Sequence, residues 1–98
     1  MIIDYPVWQH IVMNNFEMPF HFQGHRYLAR VSVTRGQDHL QYTVSPQDED
    51  LLLQYGAQVI HEFSGRPLEA AFPGISEEQR AYSEAVLAGL HRWLNTAR

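Results

Sequence analysis

Apolar and polar residues alternate along three consecutive segments between residues 16 and 44. Each segment places its apolar side chains on one face, and the three sets are Phe16, Met18, Phe20 and Phe22; Tyr27, Ala29, Val31 and Val33; and Leu40, Tyr42 and Val44. Alternation with a period of two is typical of strands with one face buried and the other in water. The pattern therefore predicts three strands that share one apolar face.

The turns between these segments predict how the strands pair. A four-residue loop QGHR pairs Phe22 with Tyr27 and sets Pro19 opposite Arg30. Proline has no N–H to donate, so Pro19 favours the first strand as a sheet edge, with its missing donor turned outward. A second turn over 35–38 pairs Val33 with Leu40. Apolar residues oppose each other in both pairings, which predicts an antiparallel meander.

The remaining chain predicts one short helix and a fourth strand. In SPQDEDLLLQYG, Ser45 fits an N-cap, Pro46 the first helical position and Gly56 a C-terminal stop. The β-branched and aromatic residues of QVIHEF, 58–63, fit a strand. The stretch SGRPLEAAFPG, 64–74, has the glycines and prolines of a loop.

A long C-terminal helix is predicted from Ser76 to about Asn95. Ser76 and Gln79 have the spacing of a capping box. The apolar stripe that could lie across a sheet is Tyr82, Val86, Leu90, Trp93 and Ala97. The first 15 residues fit either a helix or a strand ending in an Asn14–Asn15 turn. We expect one α+β domain over 1–98: an antiparallel meander of three to four strands, packed by the long helix, with the short helix after the third strand.

Composition and charge narrow the function. The 98 residues are 45% hydrophobic and 18% charged, and they include no cysteine, which excludes disulfides and thiolate chemistry. With no basic leader and no apolar run of about 20 residues, we expect a cytoplasmic protein without a membrane partner. All seven cations are arginine, so lysine-based cofactor attachment is not available. A net charge of −4 argues against nucleic acid as a partner.

Metal and catalytic motifs are weak. The predicted pairing holds His21 and His39 about 20 Å apart, too far to share an ion. His61-Glu62 begins like a metalloprotease motif but lacks the second histidine one turn on. No nucleophile elbow or phosphate-binding glycine loop occurs. We therefore predict no metal, no cofactor and no catalytic residues.

The polar face of the meander is the first candidate site. We expect Arg30 on the central strand between Pro19 and Thr43, with His21 and Tyr27 nearby. Such a face could bind a small anion, either as a binding domain or as a weak enzyme.

An apolar surface is the second candidate. Aromatic residues are numerous for one covering helix, and the loop with Leu68 and Phe72 is the predicted exposed apolar patch. We therefore favour a small accessory domain that binds another protein or a second copy of itself, through the sheet edge or this loop. The alternative is the anion site centred on Arg30 and His21.

Overall fold

The computed structural model describes residues 15–70 and 76–97, which form one five-stranded sheet and two helices. The elements in chain order are β1 (Asn15–Phe22), β2 (His25–Arg35), β3 (His39–Pro46), α1 (Glu49–Tyr55), β4 (Gln58–Phe63), β5 (Glu69–Ala70) and α2 (Glu77–Ala97). Each strand pairs antiparallel with the next along the chain, in the order β1-β2-β3-β4-β5. The predicted α+β meander with two helices is confirmed, with one or two strands more than expected. The helix-or-strand alternative for the first 15 residues falls almost wholly outside the described residues.

The first hairpin corrects the predicted loop. Phe22 pairs with His25, so the turn is the two residues Gln23-Gly24, and the predicted loop QGHR is wrong. Both turn residues have positive φ, 51° and 79°, as in a type I′ turn, whose twist matches that of the flanking strands. The pairing is consequently shifted by two residues, with Phe20 opposite Tyr27. An even shift leaves every side chain on its predicted face.

The second hairpin is shifted in the same way. Val33 pairs with Tyr42 and Arg35 with Leu40, where the sequence predicted Val33 with Leu40. The turn is tighter than expected because the backbone N–H of Gly36 donates to the carbonyl of His39 at 2.8 Å. The apolar residues of β3 again keep their predicted face.

Pro19 lies in β1, which is at one end of the sheet as far as the described residues extend. Hydrogen-bonded and non-hydrogen-bonded pairs alternate from the hairpin-closing pair, which makes Pro19–Leu28 a non-hydrogen-bonded pair. The position where Pro19 has no donor therefore points away from β2. The predicted edge strand is confirmed within the described residues, although Pro19 faces Leu28 and not Arg30.

The junction after β3 differs from the prediction. β3 continues through Ser45 and Pro46, which pair with Arg30 and Ala29, so Ser45 is not the N-cap. Asp48 caps α1 instead, accepting from the backbone N–H of Leu51 at 3.0 Å. Gly56 ends α1 with φ 72°, as predicted.

The predicted fourth strand is confirmed as β4. The stretch 64–74 is not all loop, because Glu69 and Ala70 pair with His61 and Ile60 to form β5. Two residues are too few to give a recognisable alternation in the sequence.

The long helix α2 packs against the apolar face of the sheet. The Ser76 hydroxyl accepts from the backbone N–H of Gln79 at 3.1 Å, which confirms the predicted cap. Tyr82, Val86 and Leu90 are fully buried, and Trp93 is half-buried. At Gly89 the helix comes so close to β1 that an added Cβ would lie 2.7 Å from Cβ of Phe20. α2 is thus fixed across β1 by a contact that only glycine permits.

Candidate functional site

The sheet has two faces of different character, and both described helices pack on the same one. The other face, called here the open face, consists of the outward side chains of all five strands: Asn15, Glu17, Pro19 and His21 of β1; Arg26, Leu28, Arg30, Ser32 and Thr34 of β2; His39, Gln41, Thr43 and Ser45 of β3; Val59, His61 and Phe63 of β4; and Glu69 of β5. Its side chains are exposed or half-buried. Every residue proposed for the anion site except Tyr27 lies on it.

Arg30 lies on the open face of β2, but its neighbours differ from those predicted. The residues directly across are Glu17 on β1 and Ser45 on β3. The predicted partners lie two residues away along their strands, where Pro19 is opposite Leu28 and Thr43 is opposite Ser32. The displacement follows from the two-residue shift of both hairpins. Thr43 remains a diagonal neighbour, since it pairs with Ser32. Arg30 therefore faces a carboxylate, which opposes the binding of an anion.

His21 and Tyr27 are not brought to Arg30. His21 pairs with Arg26, four residues away from Arg30 along β2 and hence about 13 Å distant. Tyr27 belongs to the helix-covered face, where its ring centroid lies 5.7 Å from that of Phe20. The expected cluster of these side chains around one ligand does not form.

The structure brings together a cluster of rings that sequence reasoning missed. His39 is stacked on Phe63 with centroids 4.8 Å apart, and the His61 ring lies 4.9 Å from His39. The guanidinium of Arg66 lies over the Phe63 ring at 5.6 Å. His39 Nδ1 is also 3.0 Å from a carboxylate oxygen of Asp38. In the sequence, the only sign of this cluster was that its rings occupy outward-facing positions in 39–44 and 58–63. That sign could not be used without knowing that β3 pairs with β4.

This ring cluster is a poor metal centre. Tetrahedral sites in proteins use three or four protein ligands. Within 15–70 and 76–97, no group of three or more histidine, aspartate or glutamate side chains is placed to hold an ion. The cluster is better described as a half-buried aromatic patch at one end of the open face.

Leu68, the predicted interface residue, packs against the hydrophobic core, whereas the ring cluster lies on the open face. Leu68 is half-buried beside α2 and lines an apolar groove of about 280 Å³ together with Pro67, Leu87, Ala88 and His91. Phe72, its predicted companion, lies outside the described residues. A second apolar groove, of about 350 Å³, runs between Pro19 and the last turns of α2 at Trp93.

The surface formed by the helices is acidic. Around α1 and the start of α2 the exposed carboxylates are Asp48, Glu49, Asp50, Glu77, Glu78 and Glu84. Two leucines of α1 stand among them, Leu52 with 43% and Leu53 with 86% of its surface exposed. Scattered exposed leucines are ordinary on a protein surface and do not by themselves mark a site.

Two tyrosines between the helices have raised pKa values. Hydrogen bonding of the Tyr55 hydroxyl to Glu78, at 2.6 Å, is the main cause that raises the pKa of Tyr55 to about 12, with desolvation adding to it. Burial is the first cause of the raised pKa of Tyr82, whose ring stacks on Tyr55 at 4.3 Å. Both groups stay neutral near pH 7 and serve packing, so neither is poised for acid–base chemistry.

Comparison with known proteins gives no family for this chain. No family model matches it, and neither curated proteins nor solved structures show a significant match. In the part of the chain that the structure describes, neither helix has the length and apolar character needed to cross a membrane.

Proposed function

We propose that this chain is a small non-catalytic protein-interaction domain whose partner covers the open face. One observation carries the proposal: β3 and β4 contribute no formally charged side chain to the open face. Its formally charged residues are Glu17, Arg26, Arg30 and Glu69, two of them directly opposite each other. The centre consists of the uncharged residues Ser32, Thr34, Gln41 and Thr43. Depletion of charge at the centre is what distinguishes protein interfaces from the remaining surface.

Half-buried apolar and aromatic side chains support the same surface. Leu28 is 38% exposed at one end of the open face, and Val59 and Phe63 are half-buried at the other. Rings of this kind contribute contact area at a small entropic cost. The sheet edge at β1 is a weaker candidate for the interface, because Pro19 has no backbone N–H to donate to an added strand.

The anion-binding alternative has weaker support in the geometry. Glu17 is directly opposite Arg30, and His21 and Tyr27 lie elsewhere. The Leu68 and Phe72 surface stays a second proposed interface, supported by the groove beside α2. A cytoplasmic location is also proposed, on the cysteine-free sequence alone.

Site-specific photo-crosslinking in cells tests the interaction surface. A photoreactive residue is placed at Thr43 on the open face, at Leu68 beside the groove, and at exposed Ala81 on α2 as the control. We expect discrete adducts from position 43 and none from position 81. Adducts from position 68 alone would move the interface to the groove, and equal or absent adducts at 43 and 81 would contradict the proposal.

A further inference from the structure

We infer that the partner of the open face is a second copy of this chain, packed sheet against sheet in a two-fold symmetric dimer. The inference rests on the proposed function and deepens it by naming the partner. Two features of the described residues carry it, the charge of each surface and the area of the open face.

Charge separates the surfaces that a second copy can approach. The described helices and their caps carry six carboxylates, and only Arg80 and Arg92 oppose them. Two copies meeting through that side would bring like charges together, which costs free energy. The open face has two acids and two arginines and is neutral overall. It is therefore a surface on which two copies, each of net charge −4, can meet without an excess of like charge inside the interface.

The area of the open face fits a dimer of modest affinity. About 35 strand residues, at roughly 3.4 Å by 4.8 Å each, give a flat area of about 600 Å². Two such faces bury about 1,200 Å², which is the lower limit for specific and stable protein interfaces. The whole face is therefore needed, and we expect a dissociation constant in the micromolar range.

The short side chains of Ser32, Thr34 and Thr43 at the centre suit face-to-face packing. Ser32 and Thr43 are cross-strand partners in the middle of the sheet, with Thr34 and Gln41 as the next pair. Sheets that pack aligned lie about 10 Å apart, which small side chains permit. The Ser32 hydroxyl already donates to Asn15 at 2.8 Å, so this polar group is satisfied without water.

Sedimentation of the purified full chain from about 1 μM to about 500 μM measures the association. Thr43→Arg puts a like charge on both copies at the centre of the face and is expected to weaken dimerisation at least tenfold. Thr34→Arg, at an exposed position on the same face, repeats the test if Thr43→Arg impairs folding, as thermal melting would show. Ala81→Arg, at an exposed position of α2 outside both proposed interfaces, is the matched control and is expected to leave association within about twofold. Ala88→Arg, beside the Leu68 groove, reports whether that groove is the interface instead.

Three results would overturn the inference. The first is a chain that stays monomeric over the whole concentration range, which is also the result expected if residues 1–14 of the same chain occupied the open face. The second is a dimer that neither Thr43→Arg nor Thr34→Arg weakens, and the third is a dimer that Ala88→Arg disrupts instead. A monomer that still crosslinks another protein from position 43 contradicts the dimer alone, whereas a monomer without adducts contradicts the proposed function as well.

Discussion

The two faces of the sheet are built from the same strands and differ in almost every property. On the helix-covered face, Met18, Phe20, Ala29 and Val31 have no exposed surface. On the open face, the alternate residues Glu17, Arg30 and Ser32 of the same strands are exposed. The covered face holds the fold together by burial of apolar area, which leaves the open face free to change with little cost in stability. A comparison of substitutions on the two faces can test this division.

The largest contrast is expected between two truncations on neighbouring strands. Phe20→Ala removes a fully buried ring between β2 and α2 and should reduce the free energy of unfolding by about 3–5 kcal/mol. Leu28→Ala on the open face should cost less than about 1 kcal/mol. Urea unfolding of both variants measures the difference. Similar losses for the two would mean that the open face is also part of a core.

The next largest effect is expected at the helix–strand contact. Gly89→Ala would gain up to about 1 kcal/mol from helix propensity but places a Cβ 2.7 Å from Phe20 Cβ and 3.1 Å from the Pro19 carbonyl oxygen. Overpacking of this kind costs about 1–3 kcal/mol, so we expect a net loss of about 0–2 kcal/mol. Ala88→Gly, on the exposed neighbour, should lose about 1 kcal/mol through propensity alone. Stabilisation by Gly89→Ala would show that α2 does not approach β1 so closely.

Two buried tyrosines in the core between the sheet and α2 should respond differently to loss of their hydroxyls. Tyr42 donates to Glu62 at 2.6 Å, and Tyr42→Phe should cost about 1–2 kcal/mol. The Tyr82 hydroxyl is buried without a hydrogen-bond partner among the described residues. Tyr82→Phe removes an unsatisfied polar group and should be neutral or stabilising by up to about 1 kcal/mol. Equal losses in thermal and urea unfolding would indicate that Tyr82 has a partner in the folded protein.

A pH effect is expected at the rim of the covered face. The pKa of Tyr55 is raised from 10.0 to about 12, so the unfolded chain loses this proton at lower pH than the folded chain does. Its contribution to stability is therefore complete below pH 10 and is lost as the pH rises from 10 to 12. The chain has no lysine, but the raised pKa of Tyr82 gives a slope of the same sign, so the contribution of Tyr55 is the difference between the parent chain and Tyr55→Phe. Tyr55→Phe should flatten this part of the stability profile, and an unchanged slope would rule out the hydrogen bond to Glu78 as its cause.

The smallest effect is expected on the open face itself. Phosphate esters and carboxylates should not shift the melting temperature at pH 6 or pH 8, because Glu17 faces Arg30. Arg30→Ala should behave like the parent chain in this screen. A shift that Arg30→Ala abolishes would restore the anion-binding alternative.

The faces of the strands could be predicted from the sequence, whereas the register could not. Alternation with a period of two assigns Phe20 and Arg30 to opposite faces but does not distinguish two pairings that differ by two residues. The turn decides between the two pairings. Gln23 adopts φ 51° in this turn, but glutamine is not among the residues that favour a type I′ turn, which are Asn, Asp and Gly. The predicted partners of Arg30 were wrong for this reason alone.

The ring cluster of His39, His61 and Phe63 was beyond sequence reasoning because it depends on where β4 joins the sheet. The sequence predicted a strand over 58–63 without a partner. Because β4 pairs with β3, Phe63 lies opposite His39, and this pairing brings the rings of His39, His61 and Phe63 into contact. Pairing between strands thus creates side-chain contacts that the local sequence pattern does not predict. The two-residue strand β5 is likewise defined only by its pairing with β4.

The proline in the edge strand bears on how far this protein can assemble. A sheet that grows by adding strands to its edge has no natural end, and exposed edges are where fibrils start. The gap left by the Pro19 nitrogen removes a hydrogen bond from the middle of any such junction. Association through flat surfaces under two-fold symmetry stops at two chains. In the dimer proposed above, replacing Pro19 would therefore add a fully hydrogen-bonding strand edge, at which further copies could pair, to a contact that otherwise stops at two chains.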